Sequence, residues 1–151
     1  MGMRRVVLMV LLAVLCNRAM AGWLKVESNE TLTLYVETND STGALKISKA
    51  GNIVKIWTLL DLKTAGTNSD GKEYMSMKLQ NEYSCKENQM RTVFLTSHSK
   101  NMGKGAVVDI SSNLGKWMPV EPDSLSAHEL LMVCTRSLKM QSSYEGAHRS
   151  V

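Results

Sequence analysis

The chain has 151 residues, of which 44% are hydrophobic and 21% charged, with only 2 prolines. That is enough for one domain with its own core and too little for two, and it excludes collagen-like, low-complexity and intrinsically disordered classes. The formal charge of +4 overstates the basicity: three of the 18 basic residues (Arg4, Arg5, Arg18) stand in an acid-free N-terminal leader, leaving 15 against 14 acidic residues. A net charge of +1 gives no electrostatic case for nucleic acid as a partner.

Residues 1–21 divide as a Sec signal peptide does. Two arginines precede the apolar run from Val6 to Cys16, and a polar stretch then ends in Ala19-Met20-Ala21, the small-x-small pattern of a cleavage site. The run is too short to span a bilayer, which takes about 20 apolar residues. Cleavage is expected after Ala21, leaving Gly22 first. Cys16 is not expected to carry lipid, because the large Leu15 precedes it. No later segment reads as a transmembrane helix.

From Gly22 to Ser112 the hydrophobic period is two, the signature of strands. Thr31 to Thr38 alternates, with Leu32, Leu34 and Val36 on one face. Asn39-Asp40-Ser41-Thr42-Gly43 reads as a turn, Ala44 to Ser48 as a short strand, and Ile53 to Leu62 as the next. In that strand Val54, Ile56, Thr58, Leu60 and Leu62 share a face, while Trp57 and Leu59 make the other face partly apolar. Lys63 to Gly71 reads as a loop. Lys72 to Cys85, Met90 to Ser99 and Ala106 to Ser112 complete the set, the last two joined by a glycine turn, Asn101-Met102-Gly103-Lys104-Gly105. Strands at this spacing without intervening helices imply one antiparallel sheet of about six strands.

Beyond Pro119 and Pro122 the period changes. Ser126-Ala127-His128-Glu129 has the spacing of a capping box, and Ala127, Leu130, Leu131, Cys134 and Leu138 follow as a helical stripe. Gln141 to Val151 shows no pattern and reads as a disordered tail. Once the leader is removed, two cysteines remain, Cys85 and Cys134, in an oxidising compartment. Neither belongs to a C-x-x-C motif or has a histidine at ligand spacing, so a structural disulfide is expected, closing a loop of 49 residues. It would tether the C-terminal helix to the sheet. The fold class is therefore α+β, with a domain over residues 22–140.

The ordered string of Trp23, Tyr35, Trp57, Asp61-Leu62-Lys63, Ser76, Lys78, Glu82-Tyr83-Ser84-Cys85, Arg91, Met102-Gly103-Lys104-Gly105, Trp117-Met118-Pro119-Val120 and Val133-Cys134 resembles the bacterial surface-adhesin protein E family over nearly all of residues 23–134. The resemblance implies a small exported domain of Gram-negative bacteria, an antiparallel sheet with a tethered helix, and binding of host extracellular-matrix or serum proteins.

The chemistry-bearing residues give little else. His98, between serines near a strand end, reads as an exposed loop histidine rather than a general base, since no nucleophile motif accompanies it. His128 and His148 form no ligand set. The Asn101–Gly105 turn lacks the Lys-Ser/Thr and the helix of a phosphate loop. Lys78, Glu82 and Arg91 read as a cross-strand ion pair on a solvated face. Trp57, Tyr35 and Trp117 read as core or as recognition aromatics. No catalytic residue, metal ligand or cofactor is expected. The implied function is a non-enzymatic interaction domain of the periplasm or outer cell surface. The alternative is a periplasmic accessory or small-ligand-binding protein of the envelope, and the sheet edges suit a homodimer.

Overall fold

The computed structural model describes residues 22–39, 42–112 and 115–148. The expected signal peptide, residues 1–21, lies outside them. The alternating segments form strands β1 (Trp23–Ser28), β2 (Leu32–Glu37), β3 (Ile47–Ala50), β4 (Ile53–Thr67), β5 (Glu73–Ser84), β6 (Gln89–Lys100), β7 (Lys104–Ser111) and β8 (Met118–Pro119), followed by helix α1 (Leu125–His148). The sheet runs β1-β2-β4-β5-β6-β7, with β3 beside β4 and β8 beside β6. Every pairing is antiparallel. The α+β reading holds, with two strands more than the six expected, β1 and β8 being the weakest in pattern.

Two local expectations within the sheet need correction. Residues 63–67, read as loop, continue β4: after an irregularity beyond Asp61, Gly66 pairs with Tyr74 and Thr67 with Glu73. The turn comes later, where the Asn68 carboxamide oxygen accepts from the backbone N–H of Asp70 (3.0 Å) and Lys72 (2.8 Å). Such side-chain capping makes Asn a turn former. The short strand is also displaced, from Ala44–Ser48 to Ile47–Ala50, with Leu45 making only an isolated bridge to Thr38.

The core lies between one sheet face and the helix. Val36, Val54, Ile56 and Tyr83 project from β2, β4 and β5 against Val133 of α1, with Leu130, Met132 and Cys134 around them. The helix begins differently from the capping-box reading. Ser124 supplies the cap, its Oγ accepting from the Ala127 N–H at 3.1 Å, and Glu129 does not reach back. The buried helix face is rotated accordingly: Glu129 and Val133 are enclosed, whereas Leu131, placed on the apolar stripe by sequence, is 67% exposed. Residues 141–148, read as a tail, continue the helical backbone.

Cys85, directly after β5, is bonded to Cys134 with a Cα–Cα distance of 5.6 Å across 49 residues of sequence. The bridge pins the second turn of helix beyond Glu129 to the end of a central strand. Closing such a loop restricts the unfolded chain by about 4 kcal/mol. The double substitution Cys85→Ala with Cys134→Ala should therefore lower unfolding stability by about 3–4 kcal/mol. Urea denaturation of oxidised wild type and variant checks this, and a loss below about 1 kcal/mol would show that packing alone holds the helix.

Candidate functional site

The face of the sheet under α1 carries a hydrogen-bonded polar line in an apolar setting. The alternation of β4, β5 and β6 aims Thr58, Asn81 and Thr92 at the helix, and register puts Asn81 opposite Thr92. The Thr92 hydroxyl donates to the Asn81 carbonyl oxygen (2.8 Å), and the Asn81 amide donates to Thr58 Oγ1 (3.1 Å). The Thr58 hydroxyl in turn donates to Glu129. Every donor points the same way, so the line terminates on the Glu129 carboxyl. Glu129 is 2% exposed. Burial pushes its pKa up to about 7, against the lowering influence of the hydrogen bond from Thr58 and of the nearby Tyr83 and Asn81 polar groups. The Tyr83 hydroxyl is buried close to Glu129 and Ser126, without a hydrogen bond of regular geometry among the described residues. Desolvation, with the nearby Glu129, raises its pKa far beyond the usual phenol range. Beside this line opens a cleft of about 150 Å³, walled by Leu34, Leu60, Leu79, Met90 and Leu125.

The opposite face differs in chemistry. Lys55, Glu82 and Arg91 stand at directly opposed positions on β4, β5 and β6. Glu82 is paired with Lys55 Nζ at 2.9 Å and with Arg91 Nη2 at 2.7 Å. Burial raises the Glu82 pKa, but the hydrogen bonds and charges of Lys55 and Arg91 outweigh it and hold the carboxyl below the ordinary value. This corrects the sequence reading twice. The second cation is Lys55, not Lys78, which lies four residues back along β5 opposite Leu59, and Glu82 is buried instead of solvated. Arg91 also lies over Trp117, 4.6 Å from the ring centroid. Trp57 meets Phe94 edge-on, with centroids 5.8 Å apart at 79°. A second hollow, about 210 Å³, is lined by Trp23, Glu37, Trp57 and Lys78.

Further along this face, the link between β6 and β7 is folded back onto the sheet. Asp61 Oδ1 accepts from the Met102 N–H (2.6 Å) and the Asn101 amide (3.2 Å). Ser76 Oγ accepts from the Gly103 N–H (2.8 Å) and donates to the Lys100 carbonyl (2.6 Å). Gly103 has φ +64°, and a Cβ there would collide with the Lys78 side chain. The turn therefore favours glycine for its conformation, as the sequence reading of a glycine turn requires, while the flexible end of Lys78 could move aside for a Cβ.

His98 is buried, 8% exposed, on β6 and not in an exposed loop. Register sets it between Ser76 and Val107. Burial, then the charge of Lys78, lowers its pKa. Its Nε2 meets Thr96 Oγ1 at 3.0 Å, and the neighbouring Ser76 hydroxyl is committed to the turn, so no serine–histidine pair is formed. His128 contacts Glu27 of β1. Among the described residues, no three His, Cys, Asp or Glu side chains gather as metal ligands. None of their helices is long and apolar enough to cross a membrane.

A sheet capped on one side by a disulfide-tethered helix, with aromatic and ionic side chains on the other, defines a small disulfide-stapled α+β domain. The profile of the surface-adhesin protein E family matches residues 23–135, and the chain belongs to that family. Solved structures of Haemophilus influenzae protein E share the fold. One is 15% identical with a TM-score of 0.56, covering 76% of this chain and 85% of the other. A second crystal form is 14% identical with a TM-score of 0.58, covering 76% and 88%. Protein E from non-typeable Haemophilus influenzae is 15% identical with a TM-score of 0.55, covering 76% of each chain. The chain matches no curated protein sequence.

The raised pKa of Glu129 has a defined consequence for stability. A carboxyl whose pKa is higher folded than unfolded stabilises the fold at low pH, and that contribution is lost as pH rises from about 4.5 through about 7. Glu129→Gln, which keeps the acceptor for Thr58 without a charge, should gain roughly 3 kcal/mol on wild type between pH 4 and pH 8. Urea denaturation across that range tests it. A constant difference between the two proteins would show that Glu129 does not take up a proton on folding.

Proposed function

We propose that this protein is an exported, non-enzymatic interaction domain that binds host extracellular-matrix or serum proteins from the outer cell surface. Family membership supports an adhesin-like surface protein, and the leader-like residues 1–21 support export. The observation that carries the binding reading is the edge strand β7. It is the last strand of the sheet among the described residues and pairs only with β6. Most of its side chains are exposed, including Val107 at 51% and Ile110 at 62%. An edge with unpaired backbone groups and protruding β-branched side chains accepts an extended segment of a partner by strand addition. The same edge suits a second copy of the chain, so a homodimer would compete with the partner for β7.

A second reading, a periplasmic protein that binds a small ligand, is favoured by the two hollows, one on each face of the sheet. Accessibility labelling of intact cells separates the readings, since a surface adhesin is labelled and a periplasmic protein is protected.

Val107→Asp combined with Ile110→Asp should reduce binding to matrix and serum proteins in a solid-phase assay at least tenfold. Stability should change by less than about 1 kcal/mol, because both positions are exposed. Light scattering on the same pair reads the homodimer: a concentration-dependent mass in wild type should become monomeric in the variant. Binding of wild type no stronger than to an albumin control would refute the adhesive reading.

A further inference from the structure

The hollow on the open face of the sheet has an arrangement that the adhesive reading does not use. Trp23 on β1 pairs directly with Glu37 on β2. Val36 pairs with Thr58, so the next position along, Glu37, comes beside Trp57 on β4. Two indoles on alternate strands thus flank one carboxylate on the strand between them. Alternate strands lie roughly 10 Å apart, which leaves room for one compact group between the two rings. All three residues line the same hollow of about 210 Å³. Glu37 Oε1 is paired with Lys46 at 2.8 Å. Its other oxygen, Oε2, is buried and has no hydrogen-bond partner among the described residues. A buried carboxylate oxygen without a donor is costly, and a positive group that donates no hydrogen bonds offsets that cost by charge alone.

From this geometry we propose that Trp23, Glu37 and Trp57 form a site for a quaternary ammonium head group of the choline type. Indole faces attract a cation placed within about 6 Å of the ring centroid, and a trimethylammonium sheds its weak hydration easily. Lys46 already balances much of the Glu37 charge, which disfavours a hydrated metal ion and leaves the aromatic walls to select the ligand. Lys78, also lining the hollow, suits the phosphate that accompanies choline in phosphocholine. This site deepens the small-ligand reading and is independent of β7.

The test titrates the full-length exported protein with choline and with 3,3-dimethylbutan-1-ol, its neutral isostere, reading tryptophan fluorescence and the backbone NMR shifts of residues 23, 37 and 57. Choline should bind at least fivefold more tightly than the isostere. Trp23→Leu and Glu37→Gln should each weaken choline about tenfold, and Glu37→Gln should leave the isostere unchanged. Trp23 lies on an edge strand and Glu37→Gln is isosteric, so the result does not hang on Trp57, which also packs on Phe94. Equal affinity for choline and the isostere, shifts confined to other residues, or wild-type choline affinity in both variants would overturn the proposal. Val107→Asp with Ile110→Asp should leave choline binding unaltered, which keeps this outcome separate from that of the β7 edge. Free phosphocholine and phosphatidylcholine vesicles, with phosphatidylglycerol vesicles as control, locate the source. Binding to both identifies a lipid head group, and binding to the free compound alone identifies a soluble or glycan-borne one.

Discussion

The bond between Cys85 and Cys134 is the constraint on which the arrangement of the two sheet faces depends. Helix α1 follows Pro122 and Asp123, whose φ of +58° turns the chain sharply before the helix starts. Among the described side chains of the helix, those of residues 125–136, Val133 is the one fully enclosed apolar group, so hydrophobic burial at about 25 cal/mol per Å² supplies limited adhesion there. A covalent tie at the end of β5 compensates by removing most of the freedom from which the helix would have to be recaptured. It also fixes the helix rotation. With Cys134 held at Cys85, Glu129 and Val133 face the sheet and Leu131 faces outward.

That rotation explains why a carboxyl is buried here at all. Once the helix is pinned, Glu129 lies over Thr58, and the hydroxyl–amide line through Asn81 and Thr92 ends on it. The line gives the carboxyl donors without giving it a countercharge. On the other face Glu82 has two cations within 3 Å. One sheet therefore holds two buried carboxyls displaced in opposite directions, Glu129 upward by burial and Glu82 downward by Lys55 and Arg91. Burial is common to both, so the sign of the displacement follows the partners and not the depth.

Much of the sheet was legible because β2 and β4 alternate without interruption and one face of each is apolar. Strand β1 was not, for a physical reason: the pairing slips between Lys25 and Glu27, and a one-residue slip reverses which side chains face inward. Strand β8 is two residues long, too short to show a period. The capping-box reading failed because Ser126 and Glu129 have the spacing of the motif while tertiary contacts claim the glutamate. The ion cluster named Lys78 because register is invisible in a single strand; only pairing shows that Lys55, Glu82 and Arg91 are in line. Of the candidate site, the aromatics were visible one by one, but the neighbourhood of Trp23, Glu37 and Trp57 exists only through the β1–β2–β4 order. Asp61, Ser76 and Met102-Gly103, part of the family resemblance, turn out to fasten the β6–β7 turn, so much of that resemblance encodes architecture.

The division of labour between faces follows from the same facts. The helix-covered face spends its polar groups on one another, and its cleft of about 150 Å³ is close to the size that holds a single benzene ring. The open face keeps tryptophans, a half-satisfied glutamate and charged side chains within reach of solvent, and the neighbouring edge of the sheet ends in a strand with exposed valine and isoleucine. Recognition needs apolar contact area together with oriented polar groups, and the open face and its edge offer both. The disulfide therefore does more than hold a helix. By committing one face to the core it leaves the other, rigid and supported from behind, as the surface on which binding can be built.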